Sequence, residues 1–239
     1  MLKPGINCDL GEGMPNDRLL MPLINYANIA CGGHAGNEES VKKTIGLAKQ
    51  YNVFVGAHPS FPDVENFGRR DLFDSINHDV LRESLCKQIS LVHYNCSISG
   101  IQMHHVKPHG GLYNRAAVDR RLSELIFDVI EQFNPLPVLF GLSGSEQADW
   151  AGERGIKFFH EVFADRSYQD DGTLTPRREP GSLLTNSASV RRQVQQLLEH
   201  GTVTALSGTI IKVKAETICI HGDGEHAVEF AKGLRSLQV

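Results

Sequence analysis

The sequence lacks the features that mark membrane, secreted or nucleic-acid-binding proteins. No stretch of the 239 residues approaches the roughly 18 apolar residues of a membrane span, and residues 1–5 include no apolar signal region. Basic residues form nothing longer than pairs such as Arg177 and Arg178, and the formal net charge is −4. We therefore expect a cytoplasmic protein that binds neither nucleic acid nor membrane. A small anionic ligand stays compatible, because a local pocket can be basic inside an acidic protein.

Several catalytic and redox motifs are also missing. The five cysteines are odd in number and have no CxxC spacing, so we expect reduced, buried thiols rather than disulfides or a thiolate metal site. No GxSxG motif is present, which argues against the serine nucleophile of an α/β-hydrolase. The GxxxxGK[ST] motif is absent as well, so the chain has no P-loop for nucleotide phosphates.

Short apolar runs alternate with longer amphipathic segments along most of the chain. The runs are rich in Val, Ile and Phe and are more continuous than alternating, as strands covered on both faces should be. They lie at 5–10, 27–31, 53–57, 102–107, 137–142, 156–163 and 217–221. This alternation predicts a mainly parallel sheet, either closed or doubly wound, and about seven repeats favour a single α/β barrel over residues 1–239.

Helix signals fill most gaps between these runs. Asn37 and Asn77 are predicted N-caps, each followed by apolar residues at helical spacing. Further helices are predicted at 120–133, 145–154, 187–200 and 225–237. Two segments, 59–74 and 164–181, are rich in Gly, Pro, Asp and Arg, and long loops at such positions in an α/β fold are usually functional. Segment 202–214 is predicted to be extended and to form an extra hairpin.

Ionisable side chains follow six of the seven predicted strands. They are Asp9 and Glu12, His34, His58, Lys107 and His109, then Glu161, Asp165 and Arg166, and finally His221 and Asp223. In an α/β barrel the C-terminal ends of all strands face one mouth, so these residues should converge there. A single strand-end histidine more often caps or packs than binds a ligand. Six strands ending in ionisable residues are harder to explain without an active site.

Not every histidine is expected to face that site. His104 and His160 are predicted to be structural, because neighbouring strand residues point to opposite sides of the sheet. The remaining Asp and His residues suit a divalent ion such as Zn²⁺ or Mn²⁺, which would activate water and polarise a carbonyl. Without a metal, Asp9 or Glu12 would act as general base and Lys107 or Arg166 would stabilise an oxyanion. The residues alone leave both readings open.

Several long blocks, in order, resemble the LamB/YcsF family over nearly the whole chain. The blocks are 7–13 (NCDLGEG), 27–36 (ANIACGGHAG), 56–68 (GAHPSFPDVENFG), 105–114 (HVKPHGGLYN), 161–166 (EVFADR) and 221–226 (HGDGEH), with DDG at 170–172 and Pro-Arg at 176–177. The chain departs from the pattern at Gly33, where an aromatic residue is common, and at Asn37, where Asp is expected. The resemblance implies a distorted seven-stranded β/α barrel similar to the glycoside hydrolase/deacetylase superfamily.

The resemblance also implies an activity, which is ATP-dependent hydrolysis of the cyclic amide 5-oxo-L-proline to L-glutamate. ATP would be used together with two partner subunits, of the B and C types. A five-membered lactam is resonance-stabilised and little strained, so its opening needs an energy input. Because this chain has no recognisable phosphate cradle, the hypothesis assigns activation of the lactam oxygen at least partly to the partners. Two alternatives are a metal-dependent deacetylase of an N-acetyl sugar and a non-catalytic subunit that only binds a ligand.

Residue roles follow from the same resemblance. By analogy with Asp-His-His sites of deacetylase-like barrels, Asp9, His58 and His109 are the expected metal or water-binding set. Asp9 or Glu12 would be the catalytic base, and Lys107 would neutralise the developing charge or the substrate carboxylate. The expected substrate-binding residues are His34, Glu161, Asp165, Arg166, His221 and Asp223.

Overall fold

Seven parallel strands close into a barrel in the computed structural model, which describes residues 3–222, 224 and 226–238. The barrel strands are β1 (Gly5–Leu10), β2 (Tyr26–Ala30), β3 (Phe54–His58), β4 (Met103–Val106), β5 (Val138–Leu142), β6 (Phe158–Phe163) and β9 (Thr217–Ile220). Two further strands, β7 (Thr202–Thr204) and β8 (Ile210–Lys212), form a separate small sheet. The barrel runs in the order β1 to β6 and closes through β9, which pairs with both β6 and β1. The closed β/α barrel is therefore confirmed, and the doubly wound sheet is excluded.

Helices surround this barrel. They are α1 (Asp17–Leu20), α2 (Glu38–Tyr51), α3 (His78–Ile98), α4 (Gly110–Ala116), α5 (Arg120–Ile130), α6 (Gln147–Glu153), α7 (Ser187–His200) and α8 (Ala227–Gln238). Both predicted N-caps are confirmed, since Asn37 accepts from the Ser40 amide and Asn77 accepts from two amides of the first turn of α3. These bonds satisfy amides that have no partner within the helix, and so fix where α2 and α3 begin.

One face of strand β1 places polar side chains inside the barrel. In β1, Ile6, Cys8 and Leu10 belong to the apolar core, whereas Asn7 and Asp9 make their contacts with polar side chains of other barrel strands. This division follows from the period of two along a strand. The interior of such barrels is usually filled with branched apolar residues. The buried polar groups on the inward face of β1 therefore indicate a functional site near the C-terminal end of the strands.

The opposite end of the barrel is closed by aromatic rings. Tyr26 stacks on His104 with 5.4 Å between ring centroids and meets Phe140 and Phe159 edge-on. His104 therefore packs among rings far along its strand from the C-terminal end, in agreement with its predicted structural role. His105, its neighbour on β4, points into the barrel and contacts Asn28 with its Nε2.

The two long loops remain irregular for most of their length and lie beyond the C-terminal ends of the strands. Loop 59–74 contains one short 3-10 turn, Val64–Asn66, and loop 164–181 is tied by isolated bridges between Arg166 and Leu183 and between Tyr168 and Leu174. The predicted hairpin is confirmed as β7 and β8, which pair antiparallel. Within the described part of the chain, none of the helices combines the length and apolar character that crossing a bilayer requires.

Candidate active site

A cavity of about 790 Å³ opens at the C-terminal ends of the barrel strands. Its floor is formed by Asp9, His58, Lys107, His109 and His221, which come from separate strand ends or the loops that follow them. The barrel therefore brings together residues separated by more than 200 positions in sequence, as the parallel strand order predicts.

Three imidazole rings and one carboxylate pack closely at one side of this floor. His58 Nε2 lies 2.9 Å from His109 Nδ1, and His34 Nε2 lies 3.0 Å from Glu12 Oε1. Glu12 Oε1 also lies 3.8 Å from His109 Nδ1 and 4.0 Å from His58 Nε2. The His34 and His109 rings stack with 3.7 Å between centroids. One atom from each of the four side chains can thus face a common point.

Backbone carbonyls fix which ring nitrogens of this cluster carry a proton. His58 Nδ1 donates to the Lys107 carbonyl at 2.7 Å, and His109 Nε2 donates to the Phe67 carbonyl at 2.9 Å. Carbonyl oxygens only accept, so both ring nitrogens that point away from them carry lone pairs when the rings are neutral. Those two lone pairs face each other across 2.9 Å. A proton or a cation between them would remove that repulsion.

The donor set fits a divalent first-row metal ion. Three imidazole nitrogens and a carboxylate oxygen are the ligands that Zn²⁺ and its neighbours prefer, and the carbonyl bonds to His58 and His109 orient the rings as in many metal sites. Burial lowers the pKa of His34 and of His109, which keeps these two rings neutral and able to coordinate. The predicted residues His58 and His109 belong to this group, and the structure adds Glu12 and His34 to it.

Lys107 occupies the centre of the floor. Its Nζ lies 2.8 Å from Asp9 Oδ1, 3.1 Å from Glu161 Oε1 and 3.1 Å from Cys219 Sγ. Burial alone would lower the pKa of Lys107, but the carboxylates of Asp9 and Glu161 outweigh it and hold the pKa well above its ordinary value. The ammonium group therefore stays charged at neutral pH, and it faces the cavity.

Asp9 stays ionised beside this lysine. Burial would raise the pKa of Asp9, but His58 and Lys107 lower it well below the ordinary value. Asn28 Nδ2 donates to Asp9 Oδ1 at 2.7 Å, and Asp9 Oδ2 lies 3.3 Å from His58 Nε2. A carboxylate with a lowered pKa is a poor proton acceptor at neutral pH. The lowered pKa thus favours Asp9 as a charge that orients its neighbours rather than as the base.

A histidine–carboxylate pair stands on the other side of Lys107. His221 Nδ1 lies 2.9 Å and 3.0 Å from the two oxygens of Asp165, and the His221 amide donates to the same carboxylate. Burial would raise the pKa of Asp165, yet His221 lowers it. The His221 ring stacks on Phe163 with 5.7 Å between centroids. Because Asp165 takes Nδ1, Nε2 is the nitrogen that His221 presents for proton transfer in the cavity.

Arg166 links loop 164–181 to the cavity. Its Nε donates to the Ser182 carbonyl and its Nη2 to the Thr175 carbonyl, so the guanidinium joins two distant parts of the loop. The side chain is buried and lines the cavity. Burial and the nearby Arg177 lower the pKa of Arg166 to about 10, which still leaves it charged at neutral pH.

The sequence-predicted residues fall into two layers. Asp9, His58, Lys107, His109, Arg166 and His221 line the cavity, whereas Glu12, His34, Glu161 and Asp165 lie behind them. Glu161 was expected to contact substrate, but it is 0% exposed and lies beneath the cavity, where it accepts from Asn7 and Lys107. The predicted Asp223 lies outside the described residues.

Sequence reasoning missed the residues that support this floor. Asn7 and Asn28 bridge Asp9, Glu161 and His105, and Tyr113 lines the cavity from α4. The signal for the two asparagines was present, since both interrupt buried apolar strands and Asn7 shares a strand face with Asp9. Their partners depend on the register between β1 and β2, where Asp9 is opposite Asn28.

Gly33, where the family pattern commonly has an aromatic residue, does not widen the cavity in the structure. A Cβ atom on Gly33 would lie 2.3 Å from Gln88 Oε1 and 2.4 Å from Ser60 Oγ, and Gly33 is not part of the cavity wall. Gln88 fills that space and holds the loop after β3, because its amide accepts from the Ser60 amide and donates to the Ser60 carbonyl. Gly33 therefore makes room for a positioning side chain rather than for substrate.

Comparison with known proteins agrees with the sequence blocks. Residues 5–238 match the LamB/YcsF family. A protein of Histophilus somni, named as the A-type subunit of 5-oxoprolinase, is 44% identical over 230 residues, covering 96% of this chain and 92% of that protein. A protein of Bacillus licheniformis with the same name is 44% identical over 236 residues, again covering 96% and 92%.

A solved structure agrees with the fold as well. The lactam utilization protein from Thermus thermophilus superposes on this chain with a TM-score of 0.90 and is 34% identical, covering 98% of this chain and 95% of that one. With that coverage, the match extends over the barrel strands and the two long loops. This chain belongs to the LamB/YcsF family.

Proposed function

We propose that this chain is the lactam-hydrolysing component of an ATP-dependent 5-oxoprolinase, which converts 5-oxo-L-proline to L-glutamate together with two partner subunits. The single observation that carries the proposal is the composition of one cavity. The cavity contains buried cations, Lys107 and Arg166, that suit an anionic small molecule. At its floor lie the cluster of three histidines with Glu12, and His221 with its partner Asp165. The relatives named as 5-oxoprolinase subunits supply the substrate and the expectation of further subunits.

The first part of the proposal concerns substrate binding. The carboxylate of 5-oxoproline pairs with Lys107 or Arg166, the cations that line the cavity from β4 and from loop 164–181. Phe163 and Tyr113 offer apolar surface to the methylene carbons of the ring. Both aromatic side chains are buried, so they also limit the access of bulk water to the floor.

The second part concerns attack on the ring carbonyl. Ring opening requires addition of water to the carbonyl carbon and cleavage of the carbon–nitrogen bond. Without a bound metal ion, Glu12 accepts the proton of the attacking water, and its hydrogen bond to His34 orients the carboxylate for this role. A divalent ion held by Glu12, His34, His58 and His109 would, when bound, lower the pKa of that water and polarise the carbonyl.

The third part concerns the leaving nitrogen. An amide nitrogen leaves readily only when it receives a proton as the bond breaks. His221 supplies it through Nε2, since Asp165 holds the opposite ring nitrogen and stabilises the charged imidazole. Lys107 stabilises the negative charge that develops on the carbonyl oxygen. Activation by ATP is assigned at least partly to the partner subunits, because the sequence carries no P-loop.

The test is glutamate release from 5-oxoproline, with and without ATP, by this chain alone and by a mixture with its two partner subunits. We expect ATP-dependent glutamate only from the complete mixture. Full ATP-coupled turnover by this chain alone would overturn the division of labour. No glutamate from any mixture of folded subunits would overturn the substrate, and release of acetate from N-acetyl sugars in the presence of divalent metals would then favour the deacetylase alternative.

A further inference from the structure

The cavity is much larger than one five-membered ring requires. Pockets of roughly 300–1,000 Å³ enclose drug-sized ligands, and the volume here is about 790 Å³. The floor described above occupies the strand ends, whereas the rest of the cavity extends beneath loops 59–74 and 164–181. The site therefore has room for a group attached to the lactam or bound beside it.

The described wall of this cavity is strongly cationic, although the whole chain carries a net charge of −4. The cationic side chains are Arg69, Arg70, Lys107, Arg166, Arg177 and Arg178, and the carboxylates are Asp9 and Asp71. Part of this charge is neutralised locally. Lys107 pairs with Asp9, Arg70 pairs with Asp63, and Asp71 pairs with Arg115.

The charged residues of loop 164–181 that line the cavity are all arginines, although the loop also contains Asp165, Asp170, Asp171 and Glu179. Among the described residues, neither Arg166 nor Arg178 has a carboxylate within ion-pair distance. Arg166 is only 5% exposed, and its two hydrogen bonds go to carbonyl groups, which carry no net charge. Asp165 acts on Arg166 electrostatically but makes no direct ion pair with it, so an anionic ligand in contact with the guanidinium would add charge-assisted hydrogen bonds.

The electrostatic effect of Arg177 points the same way. Arg177 lines the same wall, and its charge lowers the pKa of the neighbouring Arg166 guanidinium and also that of Asp165. Burial is the larger cause for Arg166, and burial and His221 are the larger causes for Asp165, but the contribution of Arg177 to both pKa values places its charge near both groups. Three arginines of one loop thus line the same cavity as His221 and Lys107.

We propose that Arg166, Arg177 and Arg178, here called the arginine wall, form a phosphoryl subsite that is occupied while the lactam ring lies over Lys107 and His221. The inference rests on the proposed function and specifies the ligand of the same site. A carboxylate would need one of these side chains, whereas a phosphoryl dianion offers three acceptor oxygens and is matched by several guanidinium groups. The subsite is built from side chains of a loop, and for that reason the sequence shows no phosphate-binding motif there.

The phosphoryl group has two chemical sources, a lactam phosphorylated on its oxygen or the terminal phosphate of a nucleotide. Titration calorimetry with the folded chain separates them, using inorganic phosphate, ATP and adenosine as probes, each with and without saturating 5-oxoproline. If 5-oxoproline strengthens phosphate binding and adenosine does not change it, the phosphorylated lactam is the source of the phosphoryl group. ATP binding much tighter than that of phosphate, with competition from adenosine, identifies the nucleotide.

The decisive comparison uses Arg178→Ala, because this exposed side chain has no structural bond among the described residues. The matched control is Arg192→Ala, which removes an exposed arginine from α7, outside the cavity wall. We expect Arg178→Ala to weaken inorganic phosphate binding by about tenfold, the loss of roughly one charge-assisted hydrogen bond, and Arg192→Ala to leave it unchanged. Arg166→Lys, which keeps the charge but not the fork, should weaken it as well.

Three results would overturn the subsite. The first is that the wild-type chain binds no phosphate. The second is that Arg178→Ala and Arg192→Ala bind phosphate with equal affinity. The third is that 5-oxoproline displaces phosphate, which would mean that both anions share one site. The proposed function fails separately. If phosphate binds and responds to Arg178→Ala while 5-oxoproline neither binds nor is hydrolysed by the complete mixture, the subsite stands and the substrate assignment does not.

Discussion

At the scale of single residues, the floor of the cavity depends on charge balance around Lys107. One ammonium group serves two buried carboxylates, Asp9 and Glu161, and two asparagines supply further hydrogen bonds to the pair. An arrangement of this kind costs desolvation energy, so it is weak evidence for stability but good evidence for a fixed geometry. Removing one charged partner leaves the desolvation energy of the others uncompensated and should lower the free energy of unfolding.

Lys107→Met should destabilise the protein by about 3–5 kcal/mol, because Asp9 and Glu161 would be left buried without a counter-ion. Urea denaturation at pH 7.5 measures the change in the free energy of unfolding. Lys42→Met is the control, since Lys42 forms an exposed pair with Glu38 on α2 and its loss should have no measurable effect. Equal stability of Lys107→Met and wild type would show that the buried network is not balanced as described.

Metal binding is the second prediction at this scale. The apo chain should bind one Zn²⁺ ion, because His58 and His109 present fixed lone pairs beside Glu12 and His34. His109→Ala should weaken binding by at least roughly 10–100-fold. Competition with a chromophoric chelator gives the affinity, and the exposed His200→Ala is the control. An affinity of His109→Ala equal to that of wild type would exclude this cluster as the metal site.

Among the helices and loops, α4 packs tightly against loop 59–74 at the mouth of the barrel. The helix begins with two glycines, and a Cβ on Gly111 would lie 2.3 Å from the Arg70 carbonyl oxygen. The Gly111 amide also donates to the Gly68 carbonyl. Because no larger residue fits this contact, the glycine pair holds the loop that carries Arg69 and Arg70 over the cavity.

Gly111→Ala should therefore destabilise the protein by about 1–3 kcal/mol through forced separation of α4 from the loop. Gly46→Ala is the matched control, because Gly46 is exposed within α2 and an added Cβ meets nothing within 4 Å. That substitution should stabilise the protein by about 0.5–1 kcal/mol through higher helix propensity. Urea denaturation of both variants tests the pair, and destabilisation of both by similar amounts would contradict the packing argument.

The elements also show what sequence patterns determine. All seven barrel strands were predicted because each is a short apolar run, and the caps Asn37 and Asn77 marked two helix starts. Helix α4 was missed because two glycines are poor helix formers, and the predicted helix 120–133 ends earlier, at Ile130. Local propensity does not report contacts with distant segments, such as the packing of Gly111 against the Arg70 carbonyl at the start of α4.

The candidate site was predictable only in part, for a related reason. Strand-end position identified Asp9, Lys107 and His58, since the barrel imposes one mouth on all parallel strands. Strand-end position did not separate residues that line the cavity from buried residues behind them. Glu161 was therefore predicted to bind substrate, although it is fully buried beneath the cavity. Depth within the barrel depends on strand register, which the sequence does not state.

At the scale of the whole molecule, burial of histidines makes stability depend on pH. Burial lowers the pKa of His34, His105 and His109, so the folded state favours their neutral forms. The unfolded chain then binds more protons below about pH 6.5, and the free energy of unfolding should fall by about 1–3 kcal/mol between pH 7.5 and 5.5. Below about pH 4, Asp9 and Asp165 add to this loss, because their pKa values are also lowered in the folded state.

Urea denaturation at pH 7.5, 5.5 and 4 in the presence of a chelator measures this dependence without interference from bound metal. A free energy of unfolding that stays constant or rises between pH 7.5 and 5.5 would contradict the burial of neutral imidazoles in the barrel.

If the mouth of this barrel hydrolyses the lactam, changing a residue of its floor must slow the complete ATP-dependent reaction. The measurement is the rate of ATP-dependent glutamate formation by the complete three-subunit mixture containing His58→Ala or Asp9→Asn, compared with the wild-type chain and with His200→Ala. We expect both site variants to lose at least roughly 10–100-fold in rate, because each removes a group that holds the geometry of the floor, while His200→Ala keeps full activity. Rates within a few-fold of wild type for folded His58→Ala and Asp9→Asn would mean that the chemistry takes place elsewhere.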